Sequence, residues 1–277
     1  MSVINTNVKS LIAQNAMTVN NRNLGKAMEQ LSTGSRINSA ADDAAGLAIS
    51  NKMTAQIRGL NQAVRNANDA ISMIQTVEGA SVEVTNMLQR MRELAVQSAN
   101  DTNTSADRTS LNAEYVQLGQ EITRIANNTT WNSTNVGNIN SADTVFQVGA
   151  NSSQTISVTF QDLKGAGGSL TSVAGAIATG VTLQTAASNA ITAIDTAIAA
   201  VDSYRADLGA KINRLTYAAD NLANIATNTA ASRSRIKDTD YAQTTTELAR
   251  AQIIQQAATA MLAQANQQPA SVLSLLQ

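Results

Sequence analysis

Two carboxylate pairs, Asp42 with Asp43 and Asp238 with Asp240, are the groups whose spacing suits proton transfer. Around them the usual partners are missing. The 277 residues contain no His and no Cys. Ser-His-Asp triads, Cys-His dyads, thiolate or imidazole zinc sites and disulfides are therefore excluded. Acid–base work by carboxylates, Lys or Tyr stays open, but helix capping and solvated charge account for both pairs more simply. A third charged group, Arg90, Arg92 and Glu93 in the run LQRMRELAVQS, brackets Leu94 and suits a contact surface. No constellation supports an enzyme, and no cofactor or metal is expected.

Composition limits the partners. Formal net charge is -1 with no strongly basic stretch, which argues against nucleic acid. No apolar run approaches a membrane span. The first twenty residues alternate apolar and polar groups and offer no signal-peptide apolar core. Hydrophobic residues reach 43% while aromatic ones make up only 3%, so small aliphatic side chains dominate. Such side chains suit narrow seams between helices rather than a bulky globular centre. The single Pro, at position 269, points the same way.

The elements follow from periodicity. Ile4, Val8 and Leu11, then Leu24, Met28 and Leu31, step by three and four and predict an N-terminal helix that Gly34 ends as a left-handed cap. Ser39 and Asp42 have capping-box spacing, with Asp43 adding favourable charge for the next helix. That helix is expected from about Ala44 to Ala99, about 80 Å at 1.5 Å per residue. Its seam runs through Ile57, Leu60, Val64, Ala67, Ile71 and Ile74, slips in phase at Val77 near Gly79, and resumes at Val84, Leu88, Met91 and Ala95. After a polar turn, Leu111, Tyr115, Leu118, Ile122 and Ile125 form another heptad run. A long C-terminal run extends from Ile191 through Ile194, Ile198, Val201, Leu208, Ile212, Leu215 and Ala219 to Leu222. A last stripe holds Ile254, Ala258, Met261 and Ala265. Only residues 129–185 differ, being rich in Asn, Thr, Ser and Gly. Within them TVFQV (144–148) and TISVTF (155–160) alternate as strands, and Gly165, Gly167 and Gly168 read as a flexible turn.

The fold class is therefore mainly α: long antiparallel coiled-coil helices from both termini with a small β-hairpin in the middle. The expected division is an inner pair, 1–39 with 240–277; a core bundle, 40–165 with 186–239, holding the β element at about 140–162; and a short Gly-rich segment, 166–185. The two long runs can pair antiparallel, with 111–125 as a third member. The terminal helices have only each other, and such a pair is marginal alone. Copies of the chain would supply the missing contacts. The terminal segments are expected to be unfolded in the lone molecule and helical in an open polymer.

Four local sequences, LSTGSRINSAADDAAGLAIS (31–50), LQRMRELAVQSAN (88–100), FQVGAN (146–151) and the ending SVLSLLQ (271–277), resemble bacterial flagellin. The resemblance spans nearly the whole chain apart from 166–185, where the family often carries a large outer insertion, so a short form is implied. Trp131-Asn132-Ser133 stands where the family often has Phe-Asn-Gly. The resemblance implies a structural subunit of the flagellar filament, exported unfolded by the flagellar type III route to the cell exterior without a cleaved signal. The hook–filament junction protein, similar at both ends, is the alternative. A soluble secreted immune ligand or adhesin is a rival of another class.

Site residues follow from the same resemblance. With Leu88, Met91 and Ala95 in the seam, Arg90 and Gln97 fall opposite it and Leu94 on one outward flank. Gln89, Arg90, Leu94 and Gln97, with Glu114 on the next helix, match the surface that contacts neighbouring subunits and, in many flagellins, the vertebrate Toll-like flagellin receptor. The terminal polymerisation stripe is Ile4, Val8, Leu11, Leu24, Met28, Leu31, Ile254, Ala258 and Met261. Leu273, Leu275 and Leu276 make an apolar tail that end-of-helix packing explains most simply; by the resemblance they match the tail bound by an export chaperone and, in some flagellins, by a cytosolic inflammasome sensor. Filament cap and hook-junction proteins are implied as further partners. Serine and threonine of 129–185 could accept O-linked glycans, although polar loops are the commoner explanation.

Overall fold

The computed structural model describes residues 6–138, 142–165 and 170–274. The chain order is α1 (Val8–Thr33), α2 (Ala44–Ser98), α3 (Ser105–Asn128), β1 (Thr130–Trp131), β2 (Thr134–Asn135), β3 (Ala142–Gln147), β4 (Thr155–Phe160), α4 (Thr171–Ala178), α5 (Gln184–Lys237) and α6 (Tyr241–Ser274). The chain divides into two compact units, one of residues 1–57 with 227–277 and one of 58–226. The mainly α class with a central β-hairpin is what the periodicity predicts.

In the terminal unit, Asn7 caps α1 by accepting from the Ser10 amide at 3.2 Å. Gly34 closes the helix at φ 67, the left-handed cap expected there. The next helix start differs from expectation. Asp42 folds back on the amides of Asn38 and Ser39 and lies 2.9 Å from Lys26 Nζ. Asp43 is the residue that caps α2, accepting from the Gly46 amide at 2.9 Å. Capping goes to Asp43 because it directly precedes Ala44, the first helical residue. A short antiparallel bridge ties the ends of the two connections, with Arg36 N donating to Lys237 O at 2.7 Å and Thr239 N to Gly34 O at 3.0 Å. The helices α1 and α6 pair antiparallel, as Asn7 to Ala265 and Asn20 to Ala251 show.

The larger unit holds the main core. There α2 and α5 run antiparallel, since Arg92 reaches Asp195 while Leu60 clusters with Leu222. Tyr115 and Ile122 of α3 add to that core. The seam of α2 does not slip. Leu60, Ala63, Ala67, Ala70, Ile74, Val77, Ser81, Val84, Leu88, Met91, Ala95 and Ser98 are all buried in unbroken steps of three and four. The apparent gap is Ser81, whose hydroxyl donates to Val77 O at 2.8 Å and so sits in the core without an unmet bond. The α2–α3 turn is held by Arg108, which donates to the carbonyls of Ser98 and Asn100 at 2.9 and 3.1 Å, covering groups that a helix end leaves open. Thr104 and Asp107 form a reciprocal capping box on α3.

The strands β3 and β4 pair antiparallel from Ala142↔Phe160 to Gln147↔Thr155. Their alternation works as expected on β4, which buries Ile156, Val158 and Phe160 and turns Thr155 and Ser157 outward. Burying Phe160 alone contributes roughly 1.5–3 kcal/mol. In the segment expected to be only a Gly-rich remnant, α4 forms and buries Val173 and Ala176. Leu170 and Val181, on either side, are also buried. The Tyr115 hydroxyl donates to Ala176 O at 2.5 Å and anchors that helix on α3.

Candidate functional site

The terminal unit has two apolar faces where the sequence suggests one stripe. Facing α6, α1 presents Ser10, Ala13, Met17, Asn20, Leu24 and Ala27, all buried or half-buried. Facing α1, α6 presents Thr244, Leu248, Ala251, Ala258, Leu262 and Ala265, again buried or half-buried. The seam is thus small and partly polar. Val8, Leu11, Ile12, Met28, Ile253, Ile254 and Met261 lie outside it, from 46% to 66% exposed. The expected stripe is corrected accordingly: Leu24, Leu31 and Ala258 are half-buried, while Val8, Leu11, Met28, Ile254 and Met261 stay uncovered. The cause is the phase of the α1 seam, which runs through Ser10, Ala13, Met17, Asn20, Leu24 and Ala27 and turns Val8, Leu11 and Met28 away from α6. Ile12 and Met261, with Lys9, Ala13, Gln264 and Ala265, line an open groove of about 300 Å³. Ile4, Leu275 and Leu276 lie outside the described residues, as does the side chain of Leu273.

Two asparagines that the apolar pattern passes over hold this pair together. Asn7 Nδ2 donates to Ala265 O and Asn20 Nδ2 to Ala251 O, both at 2.8 Å. Asn20 is 7% exposed. The signal was present in its spacing, in step with Ala13, Leu24 and Ala27 on one face, but an apolar template discards a polar residue.

In the larger unit, α2 presents Gln89, Arg90 and Gln97 to solvent, and α3 presents Glu114. Arg90 lies between Glu93 and Glu114, 2.9 Å from each. These hydrogen bonds, Glu93 first, push the guanidinium above its ordinary range. Arg92 Nε is 2.6 Å from Asp195 Oδ1 on α5. Leu94 departs from expectation. It is 1% exposed and belongs to the core with Leu88 and Met91, so the outward side carries Gln89, Arg90, Glu93 and Gln97, with Val96 as its apolar member at 48% exposed. The buried stripe takes in both Leu94 and Ala95 where α3 and α5 each reach α2, through Glu114 and Asp195.

The carboxylate pairs are engaged in local structure. The Lys26 hydrogen bond and then the Ser39 and Asn38 amides hold Asp42 at about 2, below its ordinary 3.8. Asp43 caps α2. Asp238 accepts from the Ser234 hydroxyl at 2.6 Å, and Asp240 caps α6 through the amides of Ala242 and Gln243. Among the described residues no cluster of acidic side chains could hold a metal ion, and no helix is long and apolar enough to cross a membrane.

Comparison with known proteins matches these helices at both ends. The bacterial flagellin N-terminal helical region matches residues 4–136 and the bacterial flagellin C-terminal helical region matches 191–276. A flagellin of Halalkalibacterium halodurans is 49% identical over 276 residues, covering 99% of both chains. The chain belongs to the bacterial flagellin family. Flagellin A of Vibrio cholerae is 37% identical across an alignment of 375 residues that covers 99% of each chain, so this chain is a short flagellin beside it. Among solved structures, the crystal structure of Bacillus cereus flagellin is similar at a TM-score of 0.51 and 34% identity, over 61% of this chain and 94% of that one. A flagellar hook-associated protein from Vibrio parahaemolyticus aligns at a TM-score of 0.61 and 16% identity, over 71% of this chain and all of the other, a likeness of fold alone. The tight β1–β2 turn places Asn132 and Ser133 at φ 46 and φ 65, so Ser133 adopts a left-handed backbone that glycine favours.

Proposed function

We propose that this chain is the structural subunit of a bacterial flagellar filament, and that its activity is polymerisation into an open helical homopolymer. The observation that carries the reading is the uncovered face of Val8, Leu11, Met28, Ile254 and Met261, outside the α1–α6 seam. Exposed apolar groups gathered on paired helices are covered when copies pack together. The seam itself holds mainly small and polar side chains, so the pair is weak alone and orders fully on addition to a filament end. The exposed Gln89, Arg90, Gln97 and Glu114 form a lateral subunit contact and the surface read by a Toll-like flagellin receptor. Secretion to the cell exterior follows the flagellar type III route, with a chaperone holding the Leu273–Leu276 tail. Cap and hook-junction proteins meet the two ends of the polymer.

Seeded growth tests this. Purified monomer added to sheared filament fragments should extend them into long tubes visible by electron microscopy. Protein that stays in the supernatant after centrifugation and leaves the fragments unchanged would refute the reading, and would favour a junction protein or soluble ligand.

A further inference from the structure

Oxidation chemistry in a chain without cysteine falls to methionine, and the described methionines divide sharply by exposure. Met73 and Met91 are 8% and 0% exposed, and Met17, Met53 and Met87 are half-buried. Met28 and Met261 are 56% and 64% exposed. Both sit in the terminal unit, on opposite partners of the α1–α6 pair, and both lie outside its seam. Met261 lines the open groove with Ile12 and Lys9.

We propose that Met28 and Met261 are peroxide-modified sites whose oxidation blocks subunit addition; this rests on the filament reading above. The sulfur lone pair attacks one peroxide oxygen, the O–O bond breaks, and water leaves. The thioether is oxidised by two electrons to a sulfoxide and the peroxide is reduced. The α1–α6 seam itself is chemically unaltered, because neither residue belongs to it. What changes is the face that a second copy must bury. A flexible apolar side chain becomes a polar one, and burial of an unbonded sulfoxide opposes association. Free subunits are the vulnerable form, since assembled copies shield each other's sulfurs.

The test uses the full-length monomer, graded hydrogen peroxide, peptide mass mapping and seeded elongation. Among the described methionines, Met28 and Met261 should oxidise first and Met91 last. Elongation should fall about tenfold or more as both sulfoxides accumulate. Methionine sulfoxide reductases of both epimer specificities should restore it. Preassembled filaments should keep both thioethers at the same peroxide dose. Met28→Leu with Met261→Leu, a swap that conserves volume, should elongate seeds before and after peroxide. If that pair together impairs growth, the single variants should each retain partial peroxide resistance. Full elongation by doubly oxidised monomer, or equal peroxide sensitivity in the Leu variants, overturns the proposal. Failure of untreated wild-type monomer to elongate overturns the filament reading instead.

Discussion

Arg90 Nη2 on α2 and Glu114 Oε1 on α3 lie 2.9 Å apart, while both side chains remain about half exposed. A pair so placed orients the guanidinium without burying it, and Glu93 holds it from the other side. The arrangement contributes little to folding, as solvated ion pairs generally do.

Arg90→Ala should therefore leave thermal unfolding nearly unchanged. A loss of receptor activation or of filament growth in that variant would then report on recognition. Leu94→Ala is different in kind, because the side chain is 1% exposed. It should destabilise the larger unit by about 2–5 kcal/mol, read by urea unfolding. A loss of activity in Leu94→Ala without a loss of stability would contradict its place in the core.

Ser133 occupies the left-handed region at φ 65 in a two-residue turn. Ser133→Gly should raise stability by roughly 0.5–1 kcal/mol, since glycine adopts that backbone without the Cβ clash and its own flexibility takes back part of the gain. Unchanged or lower stability in chemical denaturation would refute this.

Gly46 is fixed by its neighbours. A Cβ there would stand 2.7 Å from Ile37 Cδ1 and closer still to the Asp43 carboxylate that caps α2. Gly46→Ala should cost about 1–3 kcal/mol despite alanine's better helix propensity. Circular dichroism melting checks the sign.

Burial pushes the hydroxyls of Tyr115 and Tyr204 up from 10.0 to about 12. The folded chain keeps both phenols protonated where the unfolded chain has released them. Their contribution is whole below about pH 10 and is lost as pH rises through about 12. Unfolding free energy should fall across that window, and Tyr115→Phe should flatten the fall. Phenolate absorbance in the folded protein at pH 10, from all four tyrosines at once, would refute it.

Much of this architecture is legible in the sequence because heptads report helices, and alternation reports the β3–β4 hairpin. Where the reading departs, a polar or small residue occupies a structural position. Ser81 continues a seam that an apolar template breaks, because its proton goes to its own helix. Leu94 is counted to one flank of a two-helix seam, but a third helix widens the buried stripe. The α1 face is misassigned because its larger side chains point away from the partner and its seam uses Ser10, Ala13 and Asn20. The short helix α4 hides in a Thr-, Ser- and Gly-rich segment whose composition resembles a loop. Its signal is short, Leu170, Val173, Ala176 and Ile177 within one eight-residue helix and its cap. Asp43 takes the cap from Ser39 and Asp42 because one residue of helix start decides which side chain faces the free amides.

Asn20 and Asn7 grip α6 by its peptide oxygens rather than by any side chain. A peptide oxygen is the same whatever residue bears it. The clasp itself therefore makes no demand on the identity of α6 side chains beyond the positions under the two amides, which must stay as small as Ala251 and Ala265.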